Sequence, residues 1–442
     1  MYSDVNILYI HPQTPMFEPL TIPVSLPALI GRIPYPVKGY SQKNVKNEDI
    51  KQARIIIIDV HWYLSLSGAK KLVERIRNIN KNIIVIAGGI TASEYSSELT
   101  ELLDIDYVVR GDAEYSLPML VQAIIEKRTI EDIPNIVGKN GFKTAWGYKL
   151  TKEDLDSNNF YDIDFFPEFK QRIIQLHKQN KGWPPQLFPY LLPFRGCPHT
   201  CEICAGGSFE QQKIFRRAAV IRSANKLHDD LHFLNSAGIY KYVNVLHDFI
   251  SLLPAEYSHN VLKDKTNLFL SYEFASVPDF EILGNLINAF KGGVLYFCVD
   301  KKHVTSEEIN EPSEIIRSIN LIKKNKNYTP ILNYSLPYIR SNTEYLKAVK
   351  SIIKHTNCLI YNASFWWADF PMPDNNGNAP PNEFYKFLNY WNTSNHKKHI
   401  ISNYLARIIN SVDVICPKPI PTVLRRLYLR MAQNVPFCLN HL

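Results

Sequence analysis

Residues 55–60 read Ile-Ile-Ile-Ile-Asp-Val. Four consecutive β-branched, uncharged side chains alternate onto both faces of an extended strand, so both faces must be covered. A strand of this kind belongs inside a parallel sheet flanked by helices. The surrounding chain repeats the pattern, with further strands expected at 5–10, 83–87 and 106–109 and amphipathic helices at 26–33, 68–79 and 116–126. This alternation predicts an α/β fold built on a parallel sheet. Open sheets of this class bind ligands at the carboxyl ends of their strands. The loops there are His61-Trp62-Tyr63, Gly88-Gly89-Ile90-Thr91 and Gly111-Asp112-Ala113-Glu114. His61 and Trp62 also read as loop residues packed onto the core, and a Gly-Gly pair also serves a tight strand-to-helix turn.

Beyond residue 130 the pattern breaks and then resumes. A hairpin is expected over 131–150, with Asn140-Gly141 at its turn. A polar, Pro-containing linker follows to residue 185, carrying one helix at 169–178. A second βα series has expected strands at 189–194, 241–245, 267–270, 293–299, 330–334 and 358–363. Helices at 226–237, 278–290, 307–323 and 343–355 lie between them. The result is a barrel of about six βα units or part of one. From Ser364 the chain is rich in aromatics and turn formers before it becomes helical, and Trp366-Trp367 reads as a lid packed on the barrel or as a stacking surface. The expected divisions are therefore 1–130, a hairpin and linker at 131–185, a barrel at 186–363 and a small helical lid at 364–442.

Composition excludes several classes. The 442 residues suggest about two to four domains. With 45% apolar and 21% charged residues the chain is globular and not disordered. Its apolar runs fall short of the ~20 residues that span a bilayer, and residues 1–15 lack the basic n-region of a signal peptide. A cytoplasmic protein with no membrane partner is expected. The net charge of +8 is spread over the chain, and KKNKN at 323–327 reads as solvated surface, so no nucleic-acid partner is expected. Of seven cysteines, Cys298, Cys358, Cys416 and Cys438 stand alone, while Cys197, Cys201 and Cys204 are clustered. That usage points to a bound cofactor in a reducing compartment and not to a disulfide framework.

The cluster reads Arg-Gly-Cys-Pro-His-Thr-Cys-Glu-Ile-Cys over 195–204 and follows an expected strand directly. Three thiolates at this spacing fit one face of an iron–sulfur cluster and leave one iron open to an outside ligand. Zinc is the competing reading, but structural zinc takes four ligands, and His199 inside the loop is cramped for that role. Gly206-Gly207 just downstream permits close approach of backbone to a ligand. His247-Asp248 follows the strand at 241–245, at the end of a βα barrel where catalytic groups collect. His247 reads either as a proton relay or substrate contact, or as a loop histidine bonded to a neighbouring carboxylate. Cys298 and Cys358 read as buried structural thiols.

The Cys-x3-Cys-x2-Cys loop after the first strand of a βα series resembles that of the radical S-adenosylmethionine (SAM) enzymes. Arg-Gly-Cys before the loop, Gly206-Gly207-Ser208 after it and Arg222-Ser223 ahead of a helix extend the resemblance. It implies a partial (β/α)6 barrel in which Cys197, Cys201 and Cys204 bind a 4Fe-4S cluster and SAM chelates the open iron. Gly206, Gly207, Ser208 and Glu273 then contact SAM. Two segments depart from the family pattern: the Gly-rich stretch near the adenine is here Asn333-Tyr334-Ser335-Leu336-Pro337, and a Ser/Glu-rich strand end is Cys298-Val299-Asp300.

The N-terminal series is similar to the Rossmann-like cobalamin-binding domain fused to one branch of that family. The similarity lies in the strand and Pro-rich loop at 7–15, Asp59-Val60-His61-Trp62, Ala87-Gly88-Gly89-Ile90-Thr91 and the stretch from Asp106 to Glu114. It implies cobalamin contacts from His61, Trp62, Gly88, Gly89, Thr91, Gly111 and Glu114. The Asp-x-His-x-x-Gly loop of other cobalamin proteins is not matched, since Leu64 stands where its Gly belongs. The implied activity is methyl transfer to an unactivated carbon or phosphorus of a small molecule or peptide. It would use a 5′-deoxyadenosyl radical, methylcobalamin and an external electron donor such as flavodoxin or ferredoxin. A rearrangement, oxidation or ring closure without net methylation is the alternative within the class. A zinc-ribbon nucleic-acid binder is the alternative outside it, and would need a fourth ligand and a basic stripe.

Overall fold

The computed structural model describes residues 6–13, 22–179, 188–198, 208–299, 309–334 and 343–362. The chain divides into two compact units. The first takes the chain up to Gln179 together with Ser208–Ile221, and the second takes Asn180–Gly207 and Arg222–Trp367 among its segments.

In the first unit six strands form one sheet in the order β2-β1-β3-β4-β5-β6. They are β1 (Ile7–His11), β2 (Val37–Ser41), β3 (Ile55–Asp59), β4 (Ile84–Gly88), β5 (Tyr107–Val109) and β6 (Ile136–Gly138). Strands β1 to β5 are parallel, and every residue of β1 and β3 is buried, as their unbroken apolar runs require. The long helix Leu66–Ile79 turns Leu72, Val73 and Ile76 inward and keeps Lys71 and Glu74 outside.

Strand β2 escapes the sequence pattern because Val37–Ser41 contains a lysine and a glycine, yet it pairs in register with all of β1. A Cβ at Gly39 would stand 2.7 Å from Phe166 Cβ, and the Gly39 N–H donates to the Phe165 carbonyl at the outer edge. That covers an edge which would otherwise offer free pairing groups. Because the chain passes from β1 outward to β2 and then back to β3 on the other side, the β1/β3 boundary is the topological switch point.

Strand β6 is the hairpin arm expected from the sequence, turning at Asn140 and Gly141, whose φ values are 58° and 75°. It adds antiparallel to β5. Residues 151–179, read as a linker with one helix, hold two helices, Lys152–Ser157 and Pro167–Gln179. Phe160, Phe166 and Phe169 in this stretch are buried.

The second unit holds six parallel strands in the spatial order Leu359–Asn362, Tyr328–Tyr334, Gly292–Cys298, Phe269–Phe274, Tyr242–Val245 and Tyr190–Leu191. Helices Ala224–Ser236, Phe280–Ala289, Pro312–Ile322 and Thr343–Thr356 lie between them in the chain. All of Gly292–Cys298 is buried, which marks it as a central strand. The α/β class and the succession of two parallel-sheet units are those expected from the sequence. Among the described residues, no helix is long and apolar enough to cross a membrane. The segment from Ser364 expected as a lid lies outside the described residues.

Candidate functional site

In the first unit, the carboxyl edge of the sheet is stitched together loop by loop. Val60 N–H donates to the Gly88 carbonyl, and Thr91 donates to the His61 carbonyl through both its N–H and its Oγ1. Ser93 Oγ donates to the Gly89 carbonyl and accepts from Gly111 N–H. His61, Gly88, Gly89, Thr91 and Gly111 are thus brought together. Several of them are held by the chain itself. Thr91 is fully buried, and Gly89 combines a φ of 118° with a Cβ position 2.7 Å from the Val60 carbonyl. That close approach is to the chain's own backbone. Glu114 is buried and accepts from Ala113 N–H. Gly111, with φ 65°, lies under the Trp146 ring. Trp62 is buried, with the His61 ring edge-on at 4.9 Å.

Sequence reasoning missed what lies at the switch point. His11 and Asp59 are the last residues of β1 and β3. His11 Nδ1 lies 2.9 Å from Asp59 Oδ1, and the Tyr9 hydroxyl donates to the same oxygen at 2.6 Å. The three residues are 2%, 5% and 0% exposed for His11, Asp59 and Tyr9. Burial and the adjacent carboxylate push the Tyr9 hydroxyl far above its ordinary pKa. Asp59 takes up Nδ1, which leaves Nε2 as the other polar atom of the His11 ring. That atom and Asp59 Oδ2 are buried with no hydrogen-bond partner. Unsatisfied buried polar atoms are few in native folds and call for a reason. The available signal was that each of these residues ends an otherwise apolar strand.

A second missed feature is the pairing of Asp112 with Arg217. The fully buried Asp112 carboxylate takes a two-pronged ion pair from Arg217 (Nη2 to Oδ1 at 2.7 Å, Nε to Oδ2) and accepts from Leu150 N–H. Arg217 follows the helix Ser208–Phe215, whose Ile214 and Phe215 pack with Ile90. The segment directly downstream of the cysteines is therefore part of the first unit.

In the second unit, Cys197 is partly exposed and follows Gly196, whose φ of 88° suits glycine. Cys201, Cys204, Gly206 and Gly207 lie outside the described residues. Ser208 opens its helix, and its side chain also lies outside them. The His247 ring stacks on Phe194 at 4.7 Å and 15°, so it faces the strand end that leads to Cys197. Its neighbour Asp248 serves the fold. Oδ1 accepts from Ile250 N–H, Ser251 N–H and the Tyr272 hydroxyl, and Oδ2 accepts from Ala275 N–H. Burial raises the Asp248 pKa, and those donors oppose the rise. Glu273 lies on the strand Phe269–Phe274, where its Oε1 accepts from Cys298 Sγ and Asn333 Nδ2.

Several known proteins resemble this chain. Residues 45–121 match the B12 binding domain family. A curated Pyrococcus horikoshii protein described as an uncharacterized methyltransferase, PH0819, is 28% identical over 153 residues, covering 34% of this chain and 31% of that protein. Among solved structures, the radical SAM methyltransferase TsrM of Kitasatospora setae, with tryptophan substrate and a SAM analog bound, matches with a TM-score of 0.55 at 15% identity. That match covers 80% of this chain and 72% of TsrM. OxsB, a cobalamin-dependent SAM radical enzyme with aqua-cobalamin and SAM bound, matches with a TM-score of 0.56 at 14% identity, covering 89% of this chain and 56% of OxsB. The chain therefore carries a B12-binding domain and has the fold of the cobalamin-dependent radical SAM enzymes.

Proposed function

We propose that this chain is a cobalamin-dependent radical SAM enzyme that transfers a methyl group to an unactivated carbon or phosphorus of a small molecule or peptide. The observation that carries the reading is an order in one chain. A B12-binding sheet precedes a Cys-x3-Cys-x2-Cys loop, which in turn opens the main part of a six-stranded parallel βα unit. The buried, partnerless Nε2 of His11 and Oδ2 of Asp59 at the switch point support a fit to a large polar cofactor.

In this reading Cys197, Cys201 and Cys204 hold a 4Fe-4S cluster, and Gly206, Gly207, Ser208 and Glu273 hold SAM. His61, Trp62 and Gly88 belong to the edge that takes cobalamin, while Gly89, Thr91, Gly111 and Glu114 shape that edge from within. When bound, the cluster and SAM supply a hydrogen-abstracting radical, and cobalamin carries the methyl group. His247, fixed against Phe194, relays a proton. A flavodoxin- or ferredoxin-type donor provides electrons. Methyl transfer is favoured by the likeness to TsrM and PH0819.

Anaerobic reconstitution tests the reading. It should give about four irons per chain, with hydroxocobalamin retained. Changing Cys197, Cys201 and Cys204 to Ala should abolish iron binding and SAM cleavage. Tightly held zinc without labile iron would overturn it. With substrate present, near-equal 5′-deoxyadenosine and S-adenosylhomocysteine are expected; 5′-deoxyadenosine alone would replace methyl transfer with rearrangement or oxidation.

A further inference from the structure

The two places where the barrel departs from the radical SAM pattern meet at one atom. Cys298 ends the strand Gly292–Cys298 and is paired in register with Asn333 on the next strand. On the other side Glu273 is paired with Tyr296, so Cys298 is its diagonal neighbour on the same face. Cys298 Sγ lies 3.1 Å and Asn333 Nδ2 3.0 Å from Glu273 Oε1, with Nδ2 and Sγ 3.6 Å apart. Three adjacent strands therefore direct two donors onto one carboxylate oxygen at the ligand-binding end of the sheet.

The amide of Asn333 can take only one orientation here. Turned over, its oxygen would face the Glu273 carboxylate and its NH2 would lose its acceptor. In the orientation that donates to Glu273, Asn333 Oδ1 is buried and has no partner, and the residue is only 1% exposed. An unsatisfied buried acceptor is costly to keep. Beside a carboxylate it suits a ligand group that donates hydrogen bonds, a hydroxyl or an ammonium, and it repels an anion.

We propose that Cys298 and Asn333 are positioning residues for Glu273, and that Asn333 Oδ1 accepts from a hydroxyl or ammonium of the SAM molecule that Glu273 contacts. This rests on the reading of the second unit as a SAM-binding barrel. Cys298 acts as a protonated thiol, since a thiolate against the carboxylate would be repelled.

The test uses the reconstituted full-length protein without substrate. Two quantities are measured: the Kd for radiolabelled SAM by equilibrium dialysis, and the change that SAM causes in the electron paramagnetic resonance signal of the reduced cluster. Cys298→Ala is expected to raise the SAM Kd roughly fivefold and Asn333→Ala roughly tenfold or more, the loss of one and two modest hydrogen bonds. Both should alter the SAM-induced spectral change while iron content stays at the wild-type level. Cys298→Ser, which keeps a donor, should return the Kd to within about twofold of wild type. Unchanged Kd and spectrum in both Ala variants, or a Cys298→Ser variant no better than Cys298→Ala, would overturn the proposal. Wild-type protein that loads its cluster but binds no SAM would overturn the barrel reading itself, and the wild-type control shows that outcome separately.

Discussion

Tyr9, His11 and Asp59 share a single buried carboxylate oxygen, and two of their polar atoms are left over. Two buried polar atoms without partners at the ligand-binding end of the sheet are the reason to test this triad for a ligand role. His11→Ala is accordingly expected to lower the cobalamin retained per chain several-fold after gel filtration, with iron content unchanged. Equal retention would make the triad structural. Asp248 is the contrasting case, since both its oxygens accept hydrogen bonds from the protein. Asp248→Asn turns one acceptor into a donor facing an N–H or hydroxyl donor and should cost about 1–3 kcal/mol. Thermal unfolding of the cofactor-free protein would register this as a lower Tm. The sequence pointed to His247 and Asp248 as a pair, and the structure gives them different work: His247 stacks on Phe194 while Asp248 caps a helix.

At the scale of elements, the two-pronged pair between Asp112 and Arg217 fastens the segment after Ser208 to the loop that follows β5. Both side chains are almost fully buried, so removing one breaks a buried ion pair. Arg217→Met should destabilise the protein by about 3–5 kcal/mol. The double variant Asp112→Asn with Arg217→Met should recover part of that loss, measured by urea unfolding followed through circular dichroism. Additive effects would rule out a direct pairing. Little of this element was legible in advance. The stretch SFEQQKIF has a weak apolar stripe, and only the fold reveals that Ile214 and Phe215 find Ile90. Strand β2 was hidden for a related reason, since an edge strand buries alternate residues and tolerates Lys38 on its open face. The central strands were readable because burial on both faces demands uninterrupted apolar runs, as in Ile55–Ile58. His11 was lost with β2, because without that strand there is no switch point beside it.

At the scale of the whole molecule, alternating strands and helices announced two parallel-sheet units, and the cysteine loop is the sequence basis for the chemistry proposed for the second. Pattern alone could not show that Ser208–Ile221 returns to the first unit, since periodicity records how a segment packs and not against which sheet. Under the proposed function, that return bears on how the first unit keeps cobalamin. The carboxyl edge of the first sheet is ordered by hydrogen bonds that run from β3 to β5, and by Arg217 on Asp112. Each unit also has its own buried strands. Changing the three cysteines to Ala should therefore remove the iron while leaving cobalamin per chain near the wild-type value, measured by metal analysis and visible absorbance on the same sample. Arg217→Met should do the reverse, keeping iron while cobalamin falls, because it loosens the β5 loop. If the cysteine variant loses cobalamin as completely as iron, the first unit does not hold its cofactor independently.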